Sequence, residues 1–278
     1  MSLVINTNIS SMNAQRNLAT NSEKLATSVQ RLSSGLRINS AKDDAAGLAI
    51  SEKIRSQVRS ISVAIRNSQD GISLAQTTEG GLQEIGNIVG RMRELSTQSA
   101  NGTLGQTERN SLDAEYQQLK TEIDRISNAT EFNGTKLLNG SQSASGVTLQ
   151  VGFQNVAAND RITFFSGIGA TSVSTLSLMA DISTVASAQS NLDMTSSAIG
   201  TVASSRGTLG AVMSRLESTI SNLRVTSENL TAADSAIRDA DFAYESSQFT
   251  KNQIMVQAAN AMVAQANTLP QSALQLLK

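Results

Sequence analysis

The C-terminal segment, from about residue 236, carries the apolar repeat that most restricts what this chain can fold into. Apolar side chains recur at seven-residue intervals on two adjoining stripes: Phe242, Phe249, Val256 and Val263 on one, Met255, Met262 and Leu269 on the other. Such a repeat predicts a long helix whose seam packs against a partner helix. Residues 252–277 hold eight Asn or Gln and no charged side chain. A helix without a charged face is expected to be covered on several sides.

The N-terminal segment has the same character. Residues 1–15 hold no charged side chain, and the apolar residues of the region continue at a period near 3.5. We predict a helix over about residues 4–34, ended by a left-handed Gly35. Both termini therefore require burial, and we infer that they pair with each other and then with copies of themselves, making a polymer. An ordinary buried helix pair within a monomer is the alternative. The predicted polymerisation seam comprises Ile5, Ile9, Leu18, Leu25, Leu32, Phe242, Phe249, Val256 and Val263.

Two further long helices and a shorter one are predicted between the termini. Ser40, followed by Asp43 and Asp44, is typical of a helix start, and a seam of alternating three- and four-residue steps then runs to about Gln98. At about 1.5 Å per residue this helix exceeds roughly 80 Å, which favours a rod over a compact domain. Asn101–Gly102 predicts a turn into a shorter antiparallel helix. The seam that is most complete begins at Val185.

The segment from about residue 129 to residue 178 loses the helical period. Asn133–Gly134 and Asn139–Gly140 are turn dipeptides, and residues 147–153 alternate apolar with small or polar side chains. Residues 161–165 are their predicted partner strand, with Asn159–Asp160 in the connection. A hairpin this small should lie on the helices. The fold class is therefore mainly α: an elongated antiparallel helical hairpin rod with coiled-coil packing and a small β-hairpin region.

The last helix is expected to follow its predecessor closely. Residues 232–240 contain neither Gly nor Pro, so nothing in their composition predicts a break before the terminal helix. Pro270 is the only proline of the chain. Because proline lacks an amide hydrogen and clashes with the preceding turn, we predict that the terminal helix ends at about Thr268.

The residue types that most often carry catalysis are absent. The chain has no His, no Cys and no Trp, which removes the commonest general base, the commonest zinc ligands and every thiol nucleophile. We expect no enzymatic activity, no cofactor and no metal site. The net charge of -1 does not indicate a nucleic-acid partner. No stretch approaches the roughly twenty apolar residues of a membrane span, so we expect no membrane insertion.

Three segments resemble the bacterial flagellins. Residues 30–48, QRLSSGLRINSAKDDAAGL, are similar to the N-terminal signature of that family. Residues 237–242, IRDADF, and residues 264–271, which include AQAN and LPQ, resemble its C-terminal counterpart. The resemblance implies a structural subunit of the flagellar filament for swimming motility, in a short form that lacks the variable outer domains. A non-polymerising helical adaptor or a hook-filament junction protein is the alternative.

The resemblance also implies a domain arrangement and partners. Residues 1–42 and 236–278 would form the inner core of a hollow filament, and residues 43–235, including the hairpin region 129–178, its wall. Isolated terminal helices are marginal in water, so we expect them to be disordered in the monomer. The implied partners are copies of the chain in a helical homopolymer, an export chaperone, the flagellar type III secretion apparatus, and hook-junction and cap proteins. The location is extracellular, in the filament. The first residues lack the basic start and continuous apolar run of a cleavable signal, so export without a cleaved signal peptide is expected.

Two small clusters have competing interpretations. Asp43 and Asp44 could form a metal or acid-base pair, although helix capping and subunit contacts account better for them. Arg91 and Leu95 share a helix face, and the antiparallel return should place Glu115 nearby. From physics alone this is a solvated ion pair beside an exposed leucine. The resemblance implies instead that Arg91, Leu95 and Glu115 form the binding surface for the animal Toll-like receptor that detects flagellin, with Gly90 where a larger residue is common.

Overall fold

The long helices begin and end at residues whose side chains or backbone conformations allow hydrogen bonds to the otherwise unpaired backbone groups of the helix ends. The structure is a computed structural model that describes residues 7–142, 146–164 and 170–275, with side chains as far as residue 268. The helices are α1 (Ile9–Ser34), α2 (Ala45–Ser99), α3 (Gln106–Ala129), a single turn α4 (Ala157–Asp160), α5 (Val185–Arg238) and α6 (Phe242–Gln275); the strands are β1 (Glu131–Phe132), β2 (Thr135–Lys136), β3 (Val147–Gln150) and β4 (Arg161–Phe164). The predicted mainly helical fold with a small β-hairpin region is confirmed.

The chain forms two compact units. One comprises Met1–Val58 and Glu228–Lys278, and the other Arg59–Ser227. In the first unit, α1 and α6 pack against each other. Their contacts run in opposite directions along the two helices, with Ser11 beside Asn267 and Ser28 beside Asn252. The pairing of the two termini within the chain, which the sequence predicts, is therefore present.

Both ends of α1 are defined by local hydrogen bonds. The side chain of Asn8 accepts a hydrogen bond from the Ser11 amide at 3.0 Å, which caps the first turn. The predicted start near residue 4 is therefore wrong, because α1 begins at Ile9. At the other end Gly35 adopts the predicted left-handed conformation, with φ 71°, and its amide donates to Arg31 O at 2.9 Å.

The start of α2 is capped by Asp44, one of the two acids for which helix capping was predicted. Asp44 Oδ1 accepts a hydrogen bond from the Gly47 amide at 2.8 Å, and the helix begins at Ala45. Ser40 does not cap it, contrary to expectation. Its amide and hydroxyl both donate to Asp43 Oδ2, at 2.9 and 3.0 Å, in a separate turn that precedes the helix. The physical reason is position: Ser40 lies in the turn that ends at Asp43, so its hydroxyl oxygen does not stand at the N-cap, from which it could accept a bond from the first amides of α2.

A break separates α5 from α6 although the segment lacks Gly and Pro, so the close continuation predicted there is wrong. Two backbone hydrogen bonds hold the break beside the turn after α1, one from the Ala240 amide to Gly35 O and one from the Arg37 amide to Arg238 O. Together they form the bridge between Leu36 and Asp239. Asp241 then caps α6, because its Oδ1 accepts hydrogen bonds from two amides of the new first turn.

The C-terminal helix extends beyond the residue at which proline was expected to end it. α6 continues through Pro270 to Gln275, so the predicted end at Thr268 is wrong. The fixed φ of proline lies in the helical range, and what proline removes directly is one backbone hydrogen bond. A long helix already formed over the preceding residues tolerates that loss.

The second unit has a single apolar core to which α2, α3, α5 and the β3-β4 hairpin contribute. Helices α2 and α5 run antiparallel, since Glu79 pairs with Arg206 and the backbone of Gly86 faces Val202. Fully buried residues from several elements form this core: Leu82, Ile85, Val89, Met92, Tyr116, Ile123, Phe164, Leu209 and Leu216. The predicted seams of α2, α3 and α5 therefore pack together.

The β-hairpins are placed as predicted but are shorter. Strands β3 and β4 pair antiparallel, with Val147 opposite Phe164 and Gln150 opposite Arg161. Strand β3 ends at Gln150 rather than at residue 153, because the next two amides both donate to Asp160 O. Asn159–Asp160 forms part of the single turn α4, and Phe165 lies outside the described residues. A second hairpin, β1-β2, turns at Asn133–Gly134, both with positive φ.

The larger hairpin lies on the helices, as its small apolar face requires. A Cβ atom at Gly71 of α2 would collide with Leu149 and would approach Leu216 Cδ1 to 3.2 Å and Phe164 Cε2 to 3.5 Å. Glycine is therefore needed at this position for β3, β4 and α5 to approach the α2 backbone. Within the described residues, no helix combines the length and the apolar character needed to cross a bilayer.

Candidate interaction surfaces

The contact between α1 and α6 is made by small and polar side chains. Their buried residues are Ser11 and Ser28 on α1, and Glu245, Ala259 and Ala266 on α6. Three hydrogen bonds link the helices: Ser11 Oγ to Asn267 Oδ1 (2.8 Å), Asn8 Nδ2 to Ala266 O (2.8 Å) and Asn252 Nδ2 to Ser28 Oγ (3.2 Å). Polar groups lose hydrogen bonds to water when the two helices pack together, and these bonds replace them.

One ion pair joins the same two helices. Arg31 Nη1 lies 3.7 Å from Glu245 Oε2, and the Glu245 side chain is 7% exposed. Lys24 and Lys251 line the same groove between α1 and α6. The buried carboxylate therefore has a cationic partner in Arg31, as a buried charge requires.

The residues of the predicted polymerisation seam lie at the edges of this contact. Six of them are half-buried: Leu18, Leu25, Leu32, Phe249, Val256 and Val263. The two others that the structure describes are mostly exposed, Ile9 at 66% and Phe242 at 69%. Ile5 lies outside the described residues. The apolar repeat is therefore covered in part within the chain, and a large share of its surface faces outward.

Further apolar side chains on α1 and α6 are exposed beside that seam. They are Met12, Val29, Tyr244, Ile254, Met255 and Met262. Large exposed apolar surfaces on a chain that is otherwise water-compatible mark sites of association. From Asn252 onward α6 carries no charge that would favour solvent contact. This part of α6 can thus bind other apolar helices without burying an unpaired charge.

The second candidate surface centres on Arg91. Its Nε and Nη2 atoms donate to Glu115 Oε1 at 3.0 and 2.9 Å, and its Nη1 donates to Glu94 Oε2 at 3.0 Å. These hydrogen bonds, to Glu115 first and then to Glu94, raise the pKa of Arg91 above its ordinary value. The expected proximity of Glu115 to Arg91 is confirmed. Both partners are exposed, so the pair is a rigidly oriented but solvated charge group.

Leu95 does not share that exposure. It is 1% exposed and belongs to the core of the second unit, so the interpretation as an ion pair beside an exposed leucine is wrong on this point. The reason is geometric: the face of α2 that carries Met92 and Leu95 turns toward α3, and Arg91 stands at its edge. A Cβ at Gly90 would meet no atom within 4 Å, so this position is open beside Arg91.

Asp43 and Asp44 act as hydrogen-bond acceptors for local backbone groups. Asp43 Oδ2 accepts from the Asn39 amide and from the amide and hydroxyl of Ser40. The bonds from Ser40 hold the pKa of Asp43 below its usual value. Asp44 caps α2, as described above. In the part of the chain that the structure describes, no group of three or more acidic, His or Cys side chains is placed to hold a metal ion.

The sequence did not identify the polar residues that join the terminal helices. Its amide-rich composition indicated hydrogen bonding in general, but nothing in it distinguished Asn252 and Asn267 from the other amides of α6. It also did not single out Arg109. This buried guanidinium donates to Ser99 O at 3.1 Å and to Asn101 O at 3.0 Å, and so completes the C-terminal end of α2.

Comparison with known families matches both ends of the chain. The bacterial flagellin N-terminal helical region matches residues 5–143, and the bacterial flagellin C-terminal helical region matches residues 192–277. The chain belongs to the bacterial flagellin family. The two matched regions contain α1 with α2 and α3, and most of α5 with α6, so every helix that carries a candidate surface lies within the flagellin match.

Individual flagellins are similar over the same helices. Flagellin A of Vibrio cholerae is 49% identical over 168 residues, which is 58% of this chain and 44% of that protein. The flagellin of Salmonella muenchen is 48% identical over 178 residues, 64% of this chain and 34% of that protein. The crystal structure of Bacillus cereus flagellin matches with a TM-score of 0.50 and 34% identity, and covers 61% of this chain and 94% of that chain. The match thus spans less than half the length of the first two relatives.

Proposed function

We propose that this chain is a structural subunit, and not an enzyme, that polymerises through α1 and α6 into the bacterial flagellar filament. The observation that carries the proposal is the outward apolar surface of the α1-α6 pair, with no charged side chain on α6 from Asn252 onward, in a chain of the flagellin family. Burial of that surface between subunits contributes roughly 25 cal/mol per Å². Asn and Gln side chains supply hydrogen bonds there without the cost of buried charge.

Assembly is coupled to the ordering of the terminal helices in this proposal. Residues 1–42 and 236–278 form the inner core of the filament, and residues 43–235, with the hairpin region 129–178, form the wall. Terminal helices whose apolar side chains are only half-covered gain little from folding alone. They are therefore disordered in the free subunit and fold when neighbouring copies cover the remaining surface.

The same surface accounts for the proposed partners before assembly. Helix α6 has partly exposed apolar side chains and no charge from Asn252 onward, so it can associate prematurely in a crowded cell. An export chaperone that binds α6 would prevent this until the chain passes through the flagellar type III secretion apparatus. Hook-junction and cap proteins would then present matching helices at the two ends of the filament outside the cell.

Seeded growth tests the proposal. Purified full-length chain is mixed with sonicated fragments of its own filaments, or of filaments of the Vibrio cholerae relative, and viewed by electron microscopy. Seeds that lengthen into uniform tubes in proportion to the added chain support the proposal. Seeds that bind the chain but stop growing support the alternative, a non-polymerising adaptor or hook-filament junction protein. A monomer whose two termini resist hydrogen exchange at assembly concentrations contradicts the proposal.

We propose a second function for the Arg91 surface, recognition by the animal Toll-like receptor that detects flagellin. The specific observation in its favour is the outward, three-bond clamp that holds the Arg91 guanidinium between Glu94 and Glu115. A pre-oriented guanidinium loses little side-chain entropy when it binds a carboxylate or backbone partner. Leu95 acts in this proposal only by supporting the helix from within, because it is buried.

Charge reversal in a receptor reporter cell line tests this second proposal. Arg91→Glu should abolish the response, because it removes the clamp and places three carboxylates together. Arg93→Glu is the matched control: it makes the same charge change two positions away on an exposed part of α2. An unchanged response to Arg91→Glu, or an equal loss with both variants, contradicts the proposed role of Arg91.

A further inference from the structure

The apolar repeat of α6 leaves the register between the terminal helices undetermined. Its seam residues recur every seven positions, so a slide of α6 by one heptad along α1 places apolar side chains on apolar side chains again. These side chains are only half-buried in the pair, which weakens any preference that their individual shapes could give. The backbone bridge between Leu36 and Asp239 ties the end of α1 to the segment before α6. Contacts along the pair must hold the observed register beyond that point.

The polar contacts do not survive such a slide. Moving α6 by seven residues in one direction places Ala259 opposite Ser28 and Leu274 opposite Ser11, so both serine hydroxyls lose their amide partners. Arg31 would then face Asn252 in place of Glu245. Each loss leaves a buried polar or charged group without its partner.

A slide in the opposite direction fails at one end of the pair only. It places Asn260 opposite Ser11, so an amide remains available there. At the other end it places Glu245 opposite Ser28 and removes Glu245 from Arg31. The contacts near the α5-α6 break, Ser28 with Asn252 and Arg31 with Glu245, are therefore the ones that exclude both slips.

We infer that the Ser28–Asn252 hydrogen bond and the Arg31–Glu245 ion pair set the register in which the two terminal helices pair. Polar side chains at otherwise apolar seams are the best-attested means by which helix pairs select one alignment. The inference deepens the proposed function and rests on it, because the register determines which outward apolar side chains a neighbouring copy meets. These four residues are positioning residues, and the apolar side chains supply the association.

The absence of natural cysteines allows the register to be measured directly. Ser11→Cys with Asn267→Cys reports the observed register, because the native side chains are in contact. Ser11→Cys with Asn260→Cys reports the slip by one heptad. Each pair is equilibrated in a glutathione buffer in full-length chain, both soluble and pelleted with filament seeds. The intrachain disulfide is quantified by its gel mobility, and the ratio of in-register to slipped product gives the register preference.

Removal of one register contact should shift this ratio. Ser28→Ala with Asn252→Ala should lower the preference for the observed register at least about fivefold, the equivalent of a net hydrogen bond of about 1 kcal/mol. Asn252→Gln, which keeps an amide at a half-buried position, should restore it to within twofold. Val256→Ala is the apolar control, which should weaken pairing and leave the ratio unchanged.

Exchange of the charges provides an independent arm. Arg31→Glu alone should favour the slipped product, and Arg31→Glu combined with Glu245→Arg should recover the observed register. A ratio that stays within twofold in every variant, equal yields of the two products in the parent chain, or disulfides formed only between chains would overturn the inference. Failure of the parent chain to lengthen seeds would instead count against the proposed filament function, and that result is read from the pellets independently of the disulfide ratio.

Discussion

Truncation of one exposed apolar residue should raise the concentration needed for assembly by an amount that the structure sets. Ile254 lies on α6 and is 59% exposed, in an apolar patch with Met255. Changing Ile to Ala removes three carbons, worth about 2.4 kcal/mol at about 0.8 kcal/mol for each fully buried group. Because the proposal has the terminal helices order only on assembly, the burial of the whole side chain, within the chain and against neighbours, is gained at that step.

Helix propensity opposes this loss. Alanine is the better helix former by roughly 0.4 kcal/mol, so Ile254→Ala favours the ordering of α6 by that amount. The net cost of assembly is then about 2 kcal/mol, which corresponds to an approximately thirtyfold rise in critical concentration. Helicity of the free subunit should stay equal or increase, so a loss of assembly could not be attributed to unfolding.

The assay is sedimentation of seeded filaments over a series of subunit concentrations. Gln253→Ala is the matched control, because it truncates an exposed polar neighbour on the same helix and should change the critical concentration less than twofold. A critical concentration for Ile254→Ala that equals the parent value would refute the reasoning. So would an equal effect of the two substitutions, which would mean that α6 contributes helicity and not apolar contact.

Three further predictions concern the second unit and the exposed methionines. Burial, and then the charge of Asp113, raises the pKa of Tyr116 to about 12. Between pH 10 and pH 12 Tyr116 therefore ionises only in the unfolded chain, and the free energy of unfolding falls as pH rises, by up to about 3 kcal/mol. Urea unfolding at these pH values should show that Tyr116→Phe does not lose this stability. Arg109→Met should lower the free energy of unfolding by about 3 kcal/mol, because two carbonyls at the end of α2 lose a charged donor. Arg125→Met, which breaks an exposed ion pair, should lower it far less. Equal effects of the two substitutions would contradict this. Dilute peroxide should oxidise Met262, which is 63% exposed, roughly tenfold faster than Met92, which is fully buried, as measured by peptide mass spectrometry.

Residue spacing predicted the helices well because each has a repeated apolar face. The predicted end of α2 at about Gln98 lies one residue from the observed end at Ser99, and Gly35 adopts the predicted conformation. The errors occur where one side chain decides between alternatives. Asp44 rather than Ser40 caps α2, and Asp241 begins a new helix in a segment without Gly or Pro, because hydrogen-bonding geometry at a single carboxylate leaves no periodic signal.

The candidate surfaces were predicted less completely than the helices. The apolar repeat identified which helices pair, since apolar area depends on residue type and spacing alone. It did not show that Leu95 is buried. Arg91 and Leu95 lie at similar angles around α2, yet Arg91 is at the edge of the core-facing side of the helix and Leu95 is within it, and residue spacing does not separate these two positions. The partners of Ser28 and Asn252 depend on contacts 224 positions apart in the chain, which spacing within one helix does not encode.

The backbone contacts between residues 35–37 and residues 238–240 limit insertions and deletions in the segment after α1 and in the segment between α5 and α6. They tie the end of α1 and the beginning of α6 to one another, so the two terminal helices start from a common anchor. An inserted residue in either segment would rotate one helix by about 100° relative to the other and turn its apolar stripe away. Changes of length in this flagellin are therefore expected to be tolerated in pairs, one in each connector, or within the hairpin region, where neither terminal helix would be displaced.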